Sequence, residues 1–115
     1  IYDLYAGPNA VFYVNFNTSE IELFPSVTGR LISYLQGGED VFNTVAVNLP
    51  QLIYGGEGSD VLFGSPGSDL LDGGNGDDIL IGATDLATGG DTIIGGEGND
   101  ILWGSEADDS ILGGN

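Results

Sequence analysis

The amino-acid sequence predicts an all-β fold, a parallel β-roll or β-helix solenoid with a β-rich N-terminal cap. The first supporting observation is a nine-residue repeat that runs from residue 55 to the end of the sequence. The second is that 17 of the 21 glycines lie in this repeated part. The third is that residues 1–54 contain short runs of β-branched and aromatic residues separated by turn-forming residues.

Length and charge exclude several classes of function. The 115 residues suffice for one small domain, and 18 acidic residues against one basic residue, Arg30, give a formal charge of −17. We expect neither nucleic acid nor an anionic membrane as a partner, because the chain cannot neutralise phosphates. The sequence has no His and no Cys, which removes the usual zinc, haem and iron-sulfur ligands, disulfides and Ser-His or Cys-His nucleophiles. Hard oxygen ligands remain, and they suit calcium or magnesium.

Residues 1–54 form the first of two predicted regions, a β-rich segment that caps or continues the solenoid. Its composition predicts strands at 10–16 and 21–24, which could form a hairpin, and further strands at 30–35, 41–47 and 52–54.

Residues 55–115 form the second region and divide into six nine-residue rows, starting at residues 55, 64, 73, 82, 95 and 104. Position six of each row is an aspartate: Asp60, Asp69, Asp78, Asp91, Asp100 and Asp109. Position eight is a large aliphatic residue: Leu62, Leu71, Leu80, Ile93, Leu102 and Ile111. The row from residue 82 carries four extra residues within 84–88, which predict a protruding loop.

A glycine-rich turn of six residues followed by a three-residue strand makes half a coil, and stacked coils form two parallel sheets. Side chains alternate along a strand, so position eight faces the interior. Rows two apart lie on one edge, which brings Asp60, Asp78 and Asp100 together, and Asp69, Asp91 and Asp109 on the other edge. With turn carbonyls, each pair of aspartates offers the six to eight oxygens that calcium takes; magnesium fits such a cage less well.

These rows resemble the repeats-in-toxin (RTX), or hemolysin-type, calcium-binding nonapeptide over residues 55–115. The resemblance implies a β-roll of a secreted bacterial protein, extracellular or at the cell surface, that holds several Ca²⁺ ions. It assigns the six position-six aspartates as ligands, together with the main chain of the turn glycines: Gly55, Gly56, Gly58, Gly64, Gly67, Gly73, Gly74, Gly76, Gly95, Gly96 and Gly98.

The two edges differ in their turns. Glycines at positions one, two and four are expected to supply left-handed conformations, but the second edge has Ser65, Ala83 and Ser105 at position two and Ala107 at position four. A left-handed non-glycine residue costs about 1 kcal/mol, which predicts weaker binding there. Upstream, residues 37–42 resemble a turn shortened by two residues, and the 18 residues from Gly37 to Gly55 would make one coil.

The outward strand positions of alternate rows predict one apolar face: Val61, Phe63, Ile79, Ile81, Ile101 and Trp103. Such a face exceeds what a soluble monomer usually exposes. We expect it to be covered, either by residues 1–36 or by another protomer or a neighbouring domain.

No residue constellation here predicts catalysis, so the chain is expected not to be an enzyme. The sequence favours a calcium-binding structural module of an exported protein or of an extracellular assembly such as a filament, surface layer or adhesin, folding when it binds Ca²⁺. The alternative is an accessory C-terminal roll of a secreted enzyme, such as a protease, lipase or polysaccharide epimerase.

Overall fold

The computed structural model describes residues 10–15, 29–43, 49–83 and 89–115, the first of these as backbone only. Within these ranges there is no helix, and therefore none that could span a membrane. Ten strands are present: β1 Ala10–Asn15, β2 Gly29–Tyr34, β3 Val41–Asn43, β4 Gln51–Glu57, β5 Val61–Phe63, β6 Leu70–Asn75, β7 Ile79–Ile81, β8 Thr92–Glu97, β9 Ile101–Trp103 and β10 Ser110–Gly114.

The strands form two sheets. One has the order β1-β2-β4-β6-β8-β10 and the other β3-β5-β7-β9, and all pairings between these strands are parallel. Successive strands alternate between the sheets from β2 onward, so the chain winds as a solenoid and the predicted fold class is confirmed. Equivalent residues are 18 apart in regular coils and 22 apart across the insertion.

The interior of the solenoid is a column of aliphatic side chains, as alternation along the strands predicts. Position eight is fully buried in the middle coils, at Leu62, Leu71, Leu80 and Ile93. Leu102 is partly buried against this column, and Ile111 in the last coil is 49% exposed. Burial of each large aliphatic side chain contributes about 1.5–3 kcal/mol, which makes this column the main hydrophobic stabilisation of the repeats.

The coil that contains β2 fills its interior differently. Strand β2 pairs with β4 so that Leu31, Ser33 and Leu35 take the inward places that Asp, an aliphatic residue and Gly hold in the repeats. All three side chains are buried, and the Ser33 hydroxyl has no hydrogen-bond partner. In the N-terminal coil, leucines therefore occupy the inward places that aspartate and glycine hold in the repeats.

Part of the expected N-terminal arrangement is wrong. Strand β1 pairs in parallel with β2 at the margin of the six-stranded sheet. The segments at 10–15 and 29–34 therefore do not fold over the apolar face, which lies on the other sheet. The predicted hairpin strand at 21–24, the end of the predicted strand at 41–47 and the loop at 84–88 lie outside the described residues.

Candidate metal centre

The turns of the solenoid line two edges. Edge one consists of turns 35–40, 55–60, 73–78 and 95–100, which lead from the six-stranded to the four-stranded sheet. Edge two, in the residues that the structure describes, consists of turns 64–69 and 104–109 and of residues 82–83 and 89–91, which lead back to the six-stranded sheet. The position-six aspartates end these turns, so the pairing predicted from the repeat length is confirmed by hydrogen bonds between them.

On edge one, each aspartate is oriented by the preceding turn. The N–H of Asp60 donates to Oδ1 of Asp78 at 2.8 Å, and the N–H of Asp78 donates to Oδ1 of Asp100 at 3.0 Å. The other carboxylate oxygen, Oδ2, is buried without a hydrogen-bond partner in Asp60, Asp78 and Asp100. Burial of a carboxylate oxygen without a partner costs free energy, so a bound cation would stabilise each of these aspartates.

The second oxygen of each candidate site comes from the main chain. A Cβ atom placed on Gly55 would collide with Oδ2 of Asp60 and with the carbonyl oxygen of Gly73. The equivalent trios are Gly73 with Asp78 and Gly95, and Gly95 with Asp100 and Gly113. We call each trio a glycine cradle. In every cradle a carboxylate oxygen and a carbonyl oxygen converge on space that stays open because position one has no side chain.

Glycine serves a different purpose at positions two and four. Gly56, Gly74 and Gly96 have φ of +110°, +102° and +107°, and position four, such as Gly76 at +134°, is also left-handed. Position-one glycines are not left-handed, which corrects the expectation that all three positions supply such conformations. Position one needs glycine for close approach, and positions two and four need it for conformation.

The metal-free electrostatics disfavour charge on these carboxyls. Burial raises the pKa of Asp78 above its ordinary value, and the neighbouring Asp60 and Asp100 carboxylates raise it further. Burial also raises the pKa of Asp60 and Asp91, and it brings the pKa of Asp69 to about 6. A divalent cation among these groups would reverse the balance, because it stabilises the ionised form.

The donor chemistry fits a hard cation. Over the described ranges no three acidic side chains cluster closely enough to hold a metal by themselves. Main-chain carbonyls must therefore supply the remaining ligands, as in the cages of carboxylate and carbonyl oxygens that calcium accepts. The residues that would hold the ion are Asp60, Asp78 and Asp100 with the glycines of their cradles.

Two turns of edge two are built differently. The N–H of Ser65 donates to Oδ2 of Asp69 at 2.5 Å, and the N–H of Ser105 donates to Oδ2 of Asp109 at 2.5 Å. Oδ2 of Asp91, whose turn has Ala83 at position two, is buried and unpartnered. The expected strain at Ser65, Ala83 and Ser105 is wrong, because the sole non-glycine residue with positive φ among the described residues is Gln36.

A further edge-one turn was misassigned from the sequence. Gly37 bridges to Glu57 and the N–H of Asp40 donates to Oδ1 of Asp60, 20 residues away. The turn therefore spans residues 35–40 in full and is not shortened, and the 18-residue spacing from Gly37 to Gly55 is not the register. Asp40, which was not among the expected ligands, stands at position six with a buried, unpartnered Oδ2. Counting back from Asp40-Val41-Phe42 would have revealed it.

The outward positions of the four-stranded sheet carry the apolar face, as predicted. Val61, Phe63, Ile79 and Ile81 are partly exposed, whereas Ile101 is 50% and Trp103 is 63% exposed. In the part of the chain that the structure describes, nothing covers this surface at its C-terminal end.

A comparison with known families agrees with the geometry. The family of the RTX calcium-binding nonapeptide repeat matches residues 54–85 and 87–115, in four copies. No curated protein and no solved structure shows a significant match to the chain.

Proposed function

The chain belongs to the family of RTX calcium-binding nonapeptide repeats, and from this premise we propose that it is a structural module that folds when Ca²⁺ binds along edge one. One observation carries the proposal. Asp60, Asp78 and Asp100 each bury an unpartnered carboxylate oxygen. In each glycine cradle this oxygen lies close to a main-chain carbonyl oxygen. The bound ion would supply positive charge to a chain whose formal charge is −17.

Coupling of binding to folding follows from the stacking. Asp78 lies between Asp60 and Asp100, so the metal-free chain brings like charges together in a buried site. Ion binding to the folded chain alone shifts the equilibrium by mass action, by about 2.7 kcal/mol per site at a hundredfold excess over the dissociation constant.

The test is far-ultraviolet circular dichroism together with calcium titration calorimetry. We expect loss of the β signal in chelator, recovery with calcium, and much weaker recovery with magnesium at the same concentration. A chelator spectrum identical to the calcium spectrum, or a chain that takes up no calcium, would contradict the proposal.

We further propose that the module works outside the cell, in a secreted bacterial protein or an extracellular assembly, without catalysis. The apolar face supports assembly with a second copy, because Ile101 and Trp103 are more exposed than such side chains usually are. Sedimentation with calcium should show association that depends on concentration. Trp103→Ser should reduce it, while Leu112→Ser on the other sheet should not.

The alternative is an accessory roll of a secreted enzyme, with the apolar face packed against a neighbouring domain. A chain that stays monomeric in calcium at every concentration would favour this alternative. Trp103 fluorescence distinguishes the two proposals. A blue shift of its emission on association indicates a second copy, and emission that stays solvent-like favours a surface that packs against another domain.

A further inference from the structure

The hydrogen bonding of the position-six aspartates follows the residue at position two of the same turn. Where position two is Gln36, Gly56, Gly74, Ala83 or Gly96, Oδ2 of the aspartate that ends the turn has no partner. Where position two is Ser65 or Ser105, that oxygen is hydrogen-bonded by the serine. The difference is not one of edge, because Asp91 lies on edge two and keeps its open oxygen.

The serine turns are closed by a small network. The hydroxyl of Ser65 lies 3.1 Å from both oxygens of Asp69 and 2.9 Å from the carbonyl oxygen of Leu49. It also accepts the N–H of Gly67 at 3.3 Å. The turn with Ser105 repeats the pattern, with the N–H of Ala107 donating to the hydroxyl at 3.2 Å. Serine side chains that bond to the backbone two residues on fix local turns in this way.

The direction of the position-two N–H separates the two kinds of turn. On edge one, Gly56, Gly74 and Gly96 are left-handed and belong to the strand ladder. On edge two, Ser65 and Ser105 lie beyond the strands, and their N–H groups point at the carboxylate. An N–H aimed at Oδ2 presents positive charge where a cation would have to approach, although Gly64 still places the carbonyl of Gly82 beside Asp69.

We propose that a serine at position two takes the place of the ion, so that turns 64–69 and 104–109 are calcium-independent closures within a calcium-dependent solenoid. The inference rests on the proposed calcium binding at edge one and refines it: Asp69 and Asp109 are held by the chain itself, whereas Asp60, Asp78 and Asp100 are ion ligands. The coil with turns 55–60 and 64–69 therefore combines an edge-one turn that needs calcium with an edge-two turn that closes without it.

The test compares calcium stoichiometry, measured by calorimetry and by equilibrium dialysis, in four isosteric variants. Asp78→Asn and Asp100→Asn should each lower the number of bound ions. Asp69→Asn and Asp109→Asn should leave it unchanged, because their carboxylates bind no ion. A fall in stoichiometry for Asp69→Asn and Asp109→Asn that matches Asp78→Asn overturns the inference. Absence of calcium binding in the unsubstituted chain overturns the proposed function instead.

The converse substitution keeps the inference falsifiable if Asp69→Asn destabilises the fold. Ser65→Gly together with Ser105→Gly removes the hydroxyls that hold each turn and gives position two the backbone freedom to turn its N–H away from Oδ2, so the doubly substituted chain should bind at least one additional ion. Ser59→Gly, at an exposed position five on edge one, is the matched control and should bind as the parent does. Unchanged stoichiometry in the double variant contradicts the inference.

Discussion

The coil that begins with β2 and the coil that begins with β6 occupy the same two sheets, yet their inward residues differ in kind. In the β2 coil the inward residues are Leu31, Ser33 and Leu35, whereas the corresponding residues of the β6 coil are Asp69, Leu71 and Gly73. The shared shape shows that strand alternation and parallel register specify the solenoid. The difference shows that the oxygen donors of the proposed calcium sites are a separate property, because they need aspartate at position six and glycine at position one.

The largest expected effect comes from closing a cradle. Gly73→Ala places a methyl group against Oδ2 of Asp78 and the carbonyl of Gly95. We expect a loss of about 4 kcal/mol in the free energy of unfolding in calcium, because steric overlap and loss of an ion act together. Denaturant unfolding in calcium and in chelator measures it.

Gly113→Ala is the matched control for that substitution. It lies at the same position one, has no atom within 4 Å of an added Cβ, and should be near neutral. Equal losses for Gly73→Ala and Gly113→Ala would show that the cradles do not matter.

The next effect compares the two edges directly. Asp78→Ala should lower calcium-dependent stability by about 3 kcal/mol, because its carboxylate lies between the sites of Asp60 and Asp100. Asp109→Ala should cost only about 1 kcal/mol, the net value of a hydrogen bond, because the N–H groups of Ser105 and Asp91 hold this carboxylate and no ion is lost. Thermal unfolding at fixed calcium measures both, and similar losses would remove the distinction between the edges.

A smaller effect should appear in the pH dependence of the metal-free chain. Burial raises the pKa of Asp69 from 3.8 to about 6 and raises that of Asp60 and Asp78. A raised pKa in the folded state stabilises folding below the unfolded pKa, and the stabilisation is lost as pH rises through the folded pKa. In chelator, the β signal should therefore be stronger at about pH 4 than at about pH 7.

With calcium present the sign should reverse, since protons compete with the ion for the same carboxylates. A metal-free chain whose β signal weakens steadily on acidification would contradict the assignment of raised pKa values.

The smallest effect belongs to the β2 coil. Ser33 buries a hydroxyl without a hydrogen-bond partner in a column that is otherwise apolar. Ser33→Ala should raise stability by about 1 kcal/mol, with or without calcium, because it removes an unsatisfied polar group. A loss of stability in chemical denaturation would mean that the hydroxyl is satisfied after all.

The repeat predicts the core and the pairing of aspartates well, because both depend only on period and alternation. Leu62, Leu71, Leu80 and Ile93 are inward for that reason, and Asp60 meets Asp78 because a coil is 18 residues long. The turn at 35–40 escaped prediction, because Leu35 and Gln36 replace the two glycines that mark the start of a turn. Gln36 adopts φ of +78° without glycine's freedom, which composition does not reveal.

The serine turns show why composition also gave the wrong account of edge two. A substitution at position two was expected to strain a left-handed turn that is in fact not left-handed at Ser65 or Ser105. Ala83, which has no hydroxyl, is not left-handed either, so this backbone path belongs to edge two, where the strands end before the turn begins, and the hydrogen bonds of Ser65 only hold it further. The uncovered part of the apolar face depends likewise on which sheet β1 and β2 join, which hydrophobicity alone does not decide.

The parallel stacking of coils also determines how the molecule responds to force. A pulling force along the stacking axis acts first on the hydrogen bonds of the outermost strands, so the solenoid should unfold one coil at a time. Each regular coil of 18 residues releases about 60 Å of extended chain. Calcium bound between neighbouring coils of edge one, as proposed, would oppose this unwinding, and extensibility would then depend on the calcium level of the surroundings.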